Sequence, residues 1–381
     1  MPKPLIKWPG GKASELEQFM HLIPQFDRYI EPFFGGGALY FELTPKRALI
    51  NDVSESLMDF YILLRDRDEA LYQYLLSYDN SFQNIQTVAM QHYEDLYQLF
   101  FEQLNLETYK EKLTEAVHGL VYLMADDIIA GFTKRLVPDL DLFFDTLIYY
   151  LTDKIIRLAA NYKKSPMSQE DVEDNLITGL TSGYYMYFRN VFNDLLLNRG
   201  ARESMSYRCA NFYFIREYCY GSMFRYNAKG EFNIPYGGIS YNKKNFRQKV
   251  DYLFSEEITS VFEKTSVYCQ DFESFLERIA PAENDFMFLD PPYDTEFSDY
   301  EGKAFTKKDH ERLAAVLKKT KAQFLLVIKN TEFIYNLYSE GFNILRFHNH
   351  YLYNVKSRND REAEHLIITN MDVSGIAIPN P

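Results

Sequence analysis

Cysteine is scarce: Cys209, Cys219 and Cys269 are the only three in 381 residues, and no two stand at a metal-binding spacing. Three cannot build a disulfide framework, so a reducing compartment is expected, and no metal site is proposed. Long apolar runs are missing as well. No stretch approaches the roughly 18 uninterrupted apolar residues of a membrane span, and the opening Met1-Pro2-Lys3-Pro4 carries no apolar signal segment. A soluble cytoplasmic protein without a membrane partner is the expectation. Positive charge is in deficit, with a formal net charge of −13, which taken over the whole chain argues against binding a polyanion. Tryptophan occurs once, yet tyrosine and phenylalanine number 31 each and aromatics reach 17%. Such a supply serves stacking surfaces or thick helical cores.

The charge is unevenly spread. Residues 66–178 hold 20 acids against 9 bases, a net of −11, whereas residues 181–250 hold 11 bases against 4 acids, a net of +7. The first block has periodic apolar segments with acidic faces, such as Leu140 to Ala160, and reads as several helices; Pro166 to Asp174 reads as a loop. The second is a basic, aromatic island: either a solvated face or a nucleic-acid surface. Length alone suggests two domains.

The chain opens on Lys7-Trp8-Pro9-Gly10-Gly11-Lys12, a turn whose glycines let a backbone approach a ligand closely. A packed N-terminal turn is the competing reading. Next, Tyr29-Ile30-Glu31-Pro32-Phe33-Phe34-Gly35-Gly36-Gly37-Ala38 reads as a strand, a glycine-rich turn and a helix start. That pattern holds nucleotides in α/β folds, although the dinucleotide spacing is absent, which favours another adenosine ligand. A second strand, Ala48-Leu49-Ile50-Asn51, ends at Asp52, which can accept ribose hydroxyls or cap the helix starting near Ser54, and the two roles are compatible.

Further on, the apolar strand Phe286-Met287-Phe288-Leu289 runs into Asp290-Pro291-Pro292-Tyr293. Two prolines stop any helix at once, leaving a rigid turn with one carboxylate and one ring at a strand's carboxyl end, where α/β sheets bind ligands. Such a turn suits chemistry on an exocyclic amine of a flat base: the carboxylate and a turn carbonyl accept its hydrogens, and the ring stacks on the base. A surface turn with a capping Asp is the bland alternative.

Taken in order, these segments resemble the Dam-like DNA adenine-N6 methyltransferases, with their KWxGGK opening, EPFxGxG loop, ND acid and DPPY turn. Tyr184 to Asn193 is similar to the family's YYxxRxxFN helix with one residue of slippage, and Phe224 to Gly237 is similar to RYNxxGxFNxPFG. Phe305 to His310, with capping-box spacing at Thr306 and Asp309, and Arg361 to Asn370 extend the likeness, which covers 1–65 and 181–370. The resemblance implies an α/β, doubly wound, mostly parallel seven-stranded Rossmann-like sheet. Its catalytic domain would be 1–65 with 251–381, interrupted by a helical insertion at 66–180 and a DNA target-recognition region at 181–250.

It further implies S-adenosylmethionine as cofactor, over the loop of Glu31, Phe33, Phe34, Gly35 and Gly37, with its ribose on Asp52. Lys7, Trp8, Gly10, Gly11 and Lys12 would close the methionine side, and the adenine would lie beside Asp271 and Phe272, where a helix N-cap at Asp271 competes. A flipped adenine from double-stranded DNA would meet Asp290 and the Pro291 carbonyl, with Pro292 stiffening the turn and Tyr293 stacking. Target DNA is assigned to Arg189, Asn193, Arg225, Tyr226, Asn227, Lys229 and Pro235, with Asn227-Ala228-Lys229-Gly230 as a hairpin turn. Arg225 matches a family position that reads guanine, and a phosphate contact is its other reading. A cognate restriction endonuclease is a candidate partner, and the acidic insertion is open to a homodimer, another protein contact or a buttressing role. Two other functions are kept: a cytosine-N4 methyltransferase, which more often carries Ser where Asp290 stands, and a non-catalytic DNA-binding subunit, against which Asp52 and Asp290 argue. Labelled-methyl transfer followed by nucleoside analysis separates all three.

Overall fold

Short runs of apolar residues closed by acids, prolines or glycines make the strands, and those at the centre of the sheet are buried on both faces. The structure is a computed structural model describing residues 2–106, 110–199, 203–223, 225–238, 244–293, 299–300, 303–350 and 362–374. Phe224 and Arg361, named in the resemblance, lie outside these. Seven strands form one sheet: β1 (Arg28–Glu31), β2 (Ala48–Asn51), β3 (Thr265–Tyr268), β4 (Asp285–Leu289), β5 (Gln323–Lys329), β6 (Asn343–His350) and β7 (Glu362–Thr369). Their order is β3-β2-β1-β4-β5-β7-β6. The first five are mutually parallel, and β7 runs antiparallel to both β5 and β6. The expected seven-stranded, mostly parallel sheet is borne out.

Alternate side chains cover opposite faces, as the two-residue strand period requires. Ile30, Met287, Leu289, Phe324, Leu326, Leu366 and Ile368 join one core with Phe275, Leu313 and Ile334 from the helices Phe272–Ile279, Lys307–Leu317 and Glu332–Tyr338. On the other face Tyr29, Phe286 and Phe288 meet Phe19, Phe26 and Tyr40. Order along the sheet reverses between β1 and β4, so the loop after Glu31 and the turn after Leu289 leave the sheet side by side. That switch point is where such sheets hold ligands.

The described chain divides into two compact units, Met1–Asp66 with Ser255–Pro381, and Arg67–Phe254. The first holds the sheet. The second is helical, and its main elements include Glu69–Gln91, Leu140–Lys164, Gln169–Leu196 and Met205–Tyr218 around an aromatic core of Tyr78, Phe82, Phe143, Tyr184, Phe188 and Phe214. Close approach of two of these helices needs small residues: a Cβ on Gly183 would lie 2.9 Å from the Leu147 Cα. Two expectations are corrected here. The helix Gln169–Leu196 runs straight through 180, because its apolar pattern does not break there, so 66–180 and 181–250 are not separate bodies. The expected loop at Pro166 to Asp174 is shorter, because Ser168 caps the helix by accepting from Asp171 N. Glu170 and Asp171 thus fall in the first turn, where the helix dipole favours acids. Among the described residues no helix is long and apolar enough to cross a membrane.

Candidate active site

The loop between β1 and the helix Ala38–Leu43 is fixed from below by Asn51 at the end of β2. Asn51 O accepts from Phe34 N at 2.9 Å, its side-chain amide donates to Pro32 O and Gln270 O at 3.0 Å each, and its Oδ1 accepts from Gln270 N at 2.9 Å. One buried side chain therefore ties three strand ends together. Above it, Gly35 and Gly37 take left-handed φ values of 50° and 65°. A Cβ on Gly35 would stand 2.7 Å from Trp8 Cδ1, and one on Gly37 would stand 2.5 Å from Phe34 Cζ. Both positions demand glycine, for conformation and for space.

Asp52 uses both carboxylate oxygens on backbone: Oδ2 accepts from Gly35 N at 2.9 Å and Oδ1 from Ser54 N at 3.0 Å. It thus orders the glycine loop and the helix entrance together, and a carboxylate has acceptor capacity beyond two bonds. Glu31 is 2% exposed, accepts from the Tyr29 hydroxyl at 2.8 Å, and has no cation paired to it among the described residues. Burial pushes its carboxyl well above the usual range; the Tyr29 bond offsets part of this, and the Asp290 and Asp52 charges add to the rise.

Asp290 follows β4 directly. Lys12, 2% exposed, donates to its Oδ1 at 2.6 Å, to the Tyr293 hydroxyl at 3.1 Å and to Gly10 O at 3.0 Å. The opening glycine turn is thereby fastened to the proline turn across 278 positions of sequence. Burial raises the Asp290 carboxyl, and the Lys12 ammonium works against it. Behind Tyr293 stands His365, fully buried, 2.9 Å from Glu15 and edge-on to the Tyr293 ring at 5.8 Å. Nothing local in the sequence marked that pair, which joins residues 350 apart.

These parts enclose a cavity of about 300 Å³. Of the residues expected at the ligands, Trp8, Gly10, Gly11, Lys12, Glu31, Phe33, Phe34, Gly35, Gly37, Asp52, Asp271, Phe272 and Asp290 to Tyr293 all line it. Lys7 is exposed and does not, because the turn carries it outward. Phe33, Phe272 and Phe305 form an aromatic wall with centroids 5.5–5.8 Å apart. Asp271 is an N-cap, accepting from Glu273 N at 3.0 Å, and also accepts from Arg312 at 2.6 Å. Arg312 pairs in addition with Glu273 and Asp309 and lies over the Phe272 ring at 4.9 Å. Neither Arg312 nor Phe305 stood out as a site residue in the sequence. The expected capping box at Thr306 and Asp309 is present.

The residues expected at DNA sit in the helical unit and divide. Asn193 is corrected: it is buried, donates to Phe232 O at 3.1 Å and accepts from Phe232 N at 2.8 Å, so its amide serves as a strand partner. Asn227 is half-buried, its Oδ1 accepts from Lys229 N and Glu231 N, and its amide donates to Glu231. It builds the hairpin turn, closed by the Tyr226–Phe232 bridge. Tyr226 packs edge-on against Phe232 at 5.7 Å. Arg225, Lys229 and Pro235 are exposed, and Arg225 donates to Asn233 at 3.0 Å. Arg189 is half-buried on the helix Gln169–Leu196.

A mostly parallel sheet in this order, with a glycine loop and an Asp-Pro-Pro-Tyr turn meeting at its switch point, defines a Rossmann-like methyltransferase. More particularly, the chain belongs to the family described as D12 class N6 adenine-specific DNA methyltransferase, whose model matches residues 8–124 and 148–352. It is 24% identical to Type II methyltransferase M.CviBI of Paramecium bursaria Chlorella virus NC1A, over 97% of this chain and 99% of the relative. It is 25% identical to Type II methyltransferase M.MjaIII of Methanocaldococcus jannaschii, over 90% and 89%. To the DNA adenine methylase of Escherichia coli (strain K12) it is 30% identical, over 82% and 74%.

Proposed function

We propose that this chain moves the methyl group of S-adenosylmethionine to the N6 amine of an adenine turned out of duplex DNA, with the sheet unit as its chemical centre. One observation carries the cofactor reading. Glu31, Asp52 and Asp290 line one cavity whose lining cation, Lys12, is spent on Asp290, while Arg312, outside the lining, is spent on Asp271, Glu273 and Asp309. Such a cavity, walled by aromatics, favours a cationic ligand with a flat ring. The residues fit the group.

When bound, the cofactor supplies a methyl group on a cationic sulfur. Asp52 offers its remaining acceptor capacity to ribose hydroxyls while holding Gly35, and Phe33, Phe272 and Phe305 give the adenine a dry wall. Asp290 accepts a hydrogen of the target amine through the oxygen Lys12 leaves open, which draws the nitrogen lone pair out of conjugation. Tyr293, its hydroxyl held by Lys12, presents a ring for the base to stack on. A base inside a duplex cannot reach a recessed turn, so extrusion is required. Positioning of this kind is worth roughly 7–11 kcal/mol.

In the same reading, target recognition belongs to the helical unit with its hairpin around Asn227, where Arg225 and Lys229 are exposed side chains that would face DNA. A cognate restriction endonuclease is the partner proposed from the Type II names of the relatives, and the cytoplasm is the site of action. Incubation with labelled cofactor and unmethylated DNA is expected to yield N6-methyladenine as the labelled nucleoside. N4-methylcytosine, or no label, would overturn the reading.

Glu31 supplies a pH test. Its folded value lies above the unfolded one, so its contribution to stability is complete in acid and is lost as pH rises through the folded value. A cation nearby favours the ionised form. Cofactor affinity is therefore expected to increase with pH through that value and then level off, with a proton released on binding below it. Calorimetry in buffers of different ionisation enthalpy measures the proton, and Glu31→Gln should flatten the dependence. An unaltered slope in that variant would remove Glu31 from the cation's surroundings.

A further inference from the structure

The helical unit holds a second cavity, of about 470 Å³, that none of the chemistry above uses. One wall is a stripe of the helix Leu140–Lys164, with Tyr150, Lys154, Arg157 and Asn161 at helical spacing; the second is a stripe of Gln169–Leu196, with Thr178 and Ser182; the third is the segment Pro235 to Gly238. Its charge is the reverse of its surroundings. The segment 66–178 has 20 acids against 9 bases, yet the lining includes two cations and no acid.

Lys154 is half-buried and, among the described residues, makes no hydrogen bond. Burial and the adjacent Arg157 charge lower its pKa, with Asp153 partly opposing them. A partly desolvated ammonium without a hydrogen-bond partner is costly to keep. Arg157 is ion-paired to Asp153 and otherwise exposed. The hydroxyls of Thr178 and Ser182 also lack partners within the described chain, so the cavity presents several donors and no anion. Arg189 stands on the same stripe two turns past Ser182, and its charge acts on the Tyr150 hydroxyl.

We propose that this cavity binds a phosphate group, in the first place one of the nucleic-acid backbone, with Lys154 and Arg157 supplying charge and Thr178 and Ser182 supplying directed hydrogen bonds. The nucleic-acid source rests on duplex DNA being the substrate. An insertion acidic in total would then touch DNA at one basic point, adding affinity without sequence preference, as phosphate contacts do.

The test uses the full chain and four variants: Lys154→Met, Arg157→Gln, the double variant, and Lys164→Gln as a charge control on the same helix outside the cavity. Binding to labelled duplexes of several sequences is measured across a salt series. Each of the first two substitutions is expected to weaken binding roughly ten-fold for every sequence and to reduce the salt slope by about one, and the double variant by about two. Lys154→Met should also raise Tm, since it keeps the volume and removes a charge that burial opposes; a purely structural lysine would lower it. Inorganic phosphate titrated against Tm separates the sources. A phosphate-dependent gain lost in Lys154→Met, with the DNA slope unaltered, assigns the site to a free phosphate compound. Unaltered DNA affinity and slope together with no phosphate-dependent gain overturns the proposal, as does a loss confined to one base position or an equal loss in Lys164→Gln. A wild-type chain that binds no duplex would defeat the substrate reading instead, and the phosphate titration would still decide the cavity.

Discussion

Asp290→Ala is expected to reduce methyl transfer by on the order of 10³-fold or more while cofactor affinity stays within a few-fold. The carboxylate is proposed to face the target amine, so its loss removes lone-pair release and positioning together, and a misplacement of about 1 Å alone costs about 10²-fold. Structure adds a complication. Lys12 is 2% exposed and Asp290 is its carboxylate partner at 2.6 Å, and breaking a buried pair from one side costs about 3–5 kcal/mol. Asp290→Asn keeps the shape and one acceptor oxygen, so it separates lost chemistry from lost folding. Single-turnover rates, cofactor binding and Tm should be read on both variants. Because burial raises the Asp290 carboxyl, wild-type activity should fall in acid at a higher pH than an ordinary carboxylate would give. Retained turnover in folded Asp290→Ala would refute the assignment.

Gly35→Ala should come next in size, with cofactor affinity reduced at least ten-fold and a Tm lower by several degrees. Two independent costs meet there. A left-handed φ of 50° costs an L-residue about 1–2 kcal/mol, and the new Cβ would stand 2.7 Å from Trp8 Cδ1, with no flexible atom to yield. The ring must shift, and Trp8 lines the cavity. Gly119→Ala is the control: nothing lies within 4 Å of its Cβ position and it sits inside the helix Lys110–Leu123, so a gain of up to about 1 kcal/mol is expected there. Wild-type cofactor affinity in Gly35→Ala would show that the loop does not need its shape.

The sheet and the cavity were legible because their signals are local. A buried strand of four or five residues, followed at once by glycines or prolines, needs no distant information, so Glu31 to Gly37, Asn51-Asp52 and Asp290 to Tyr293 could be placed at strand ends from the sequence. What joins them could not. Lys12 finds Asp290, Arg312 finds Asp271, and Glu15 finds His365 across hundreds or tens of positions, by tertiary packing that no spacing records. Asn193 failed for a different reason. An amide that reads a base edge and an amide that pairs with a strand backbone are the same side chain, and only burial tells them apart.

The order in which the ribosome delivers the sheet follows from the division of the sheet unit into Met1–Asp66 and Ser255–Pro381. β1 and β2 emerge first, and β3 and β4, which flank them, emerge only after the whole of Arg67–Phe254. At about 5–20 residues per second that interval lasts roughly 10–40 s. Throughout it, two strands with seven buried residues among their eight are out with the neighbours on both outer edges still unmade. Shielding those edges during synthesis is a task set by the chain's connectivity alone.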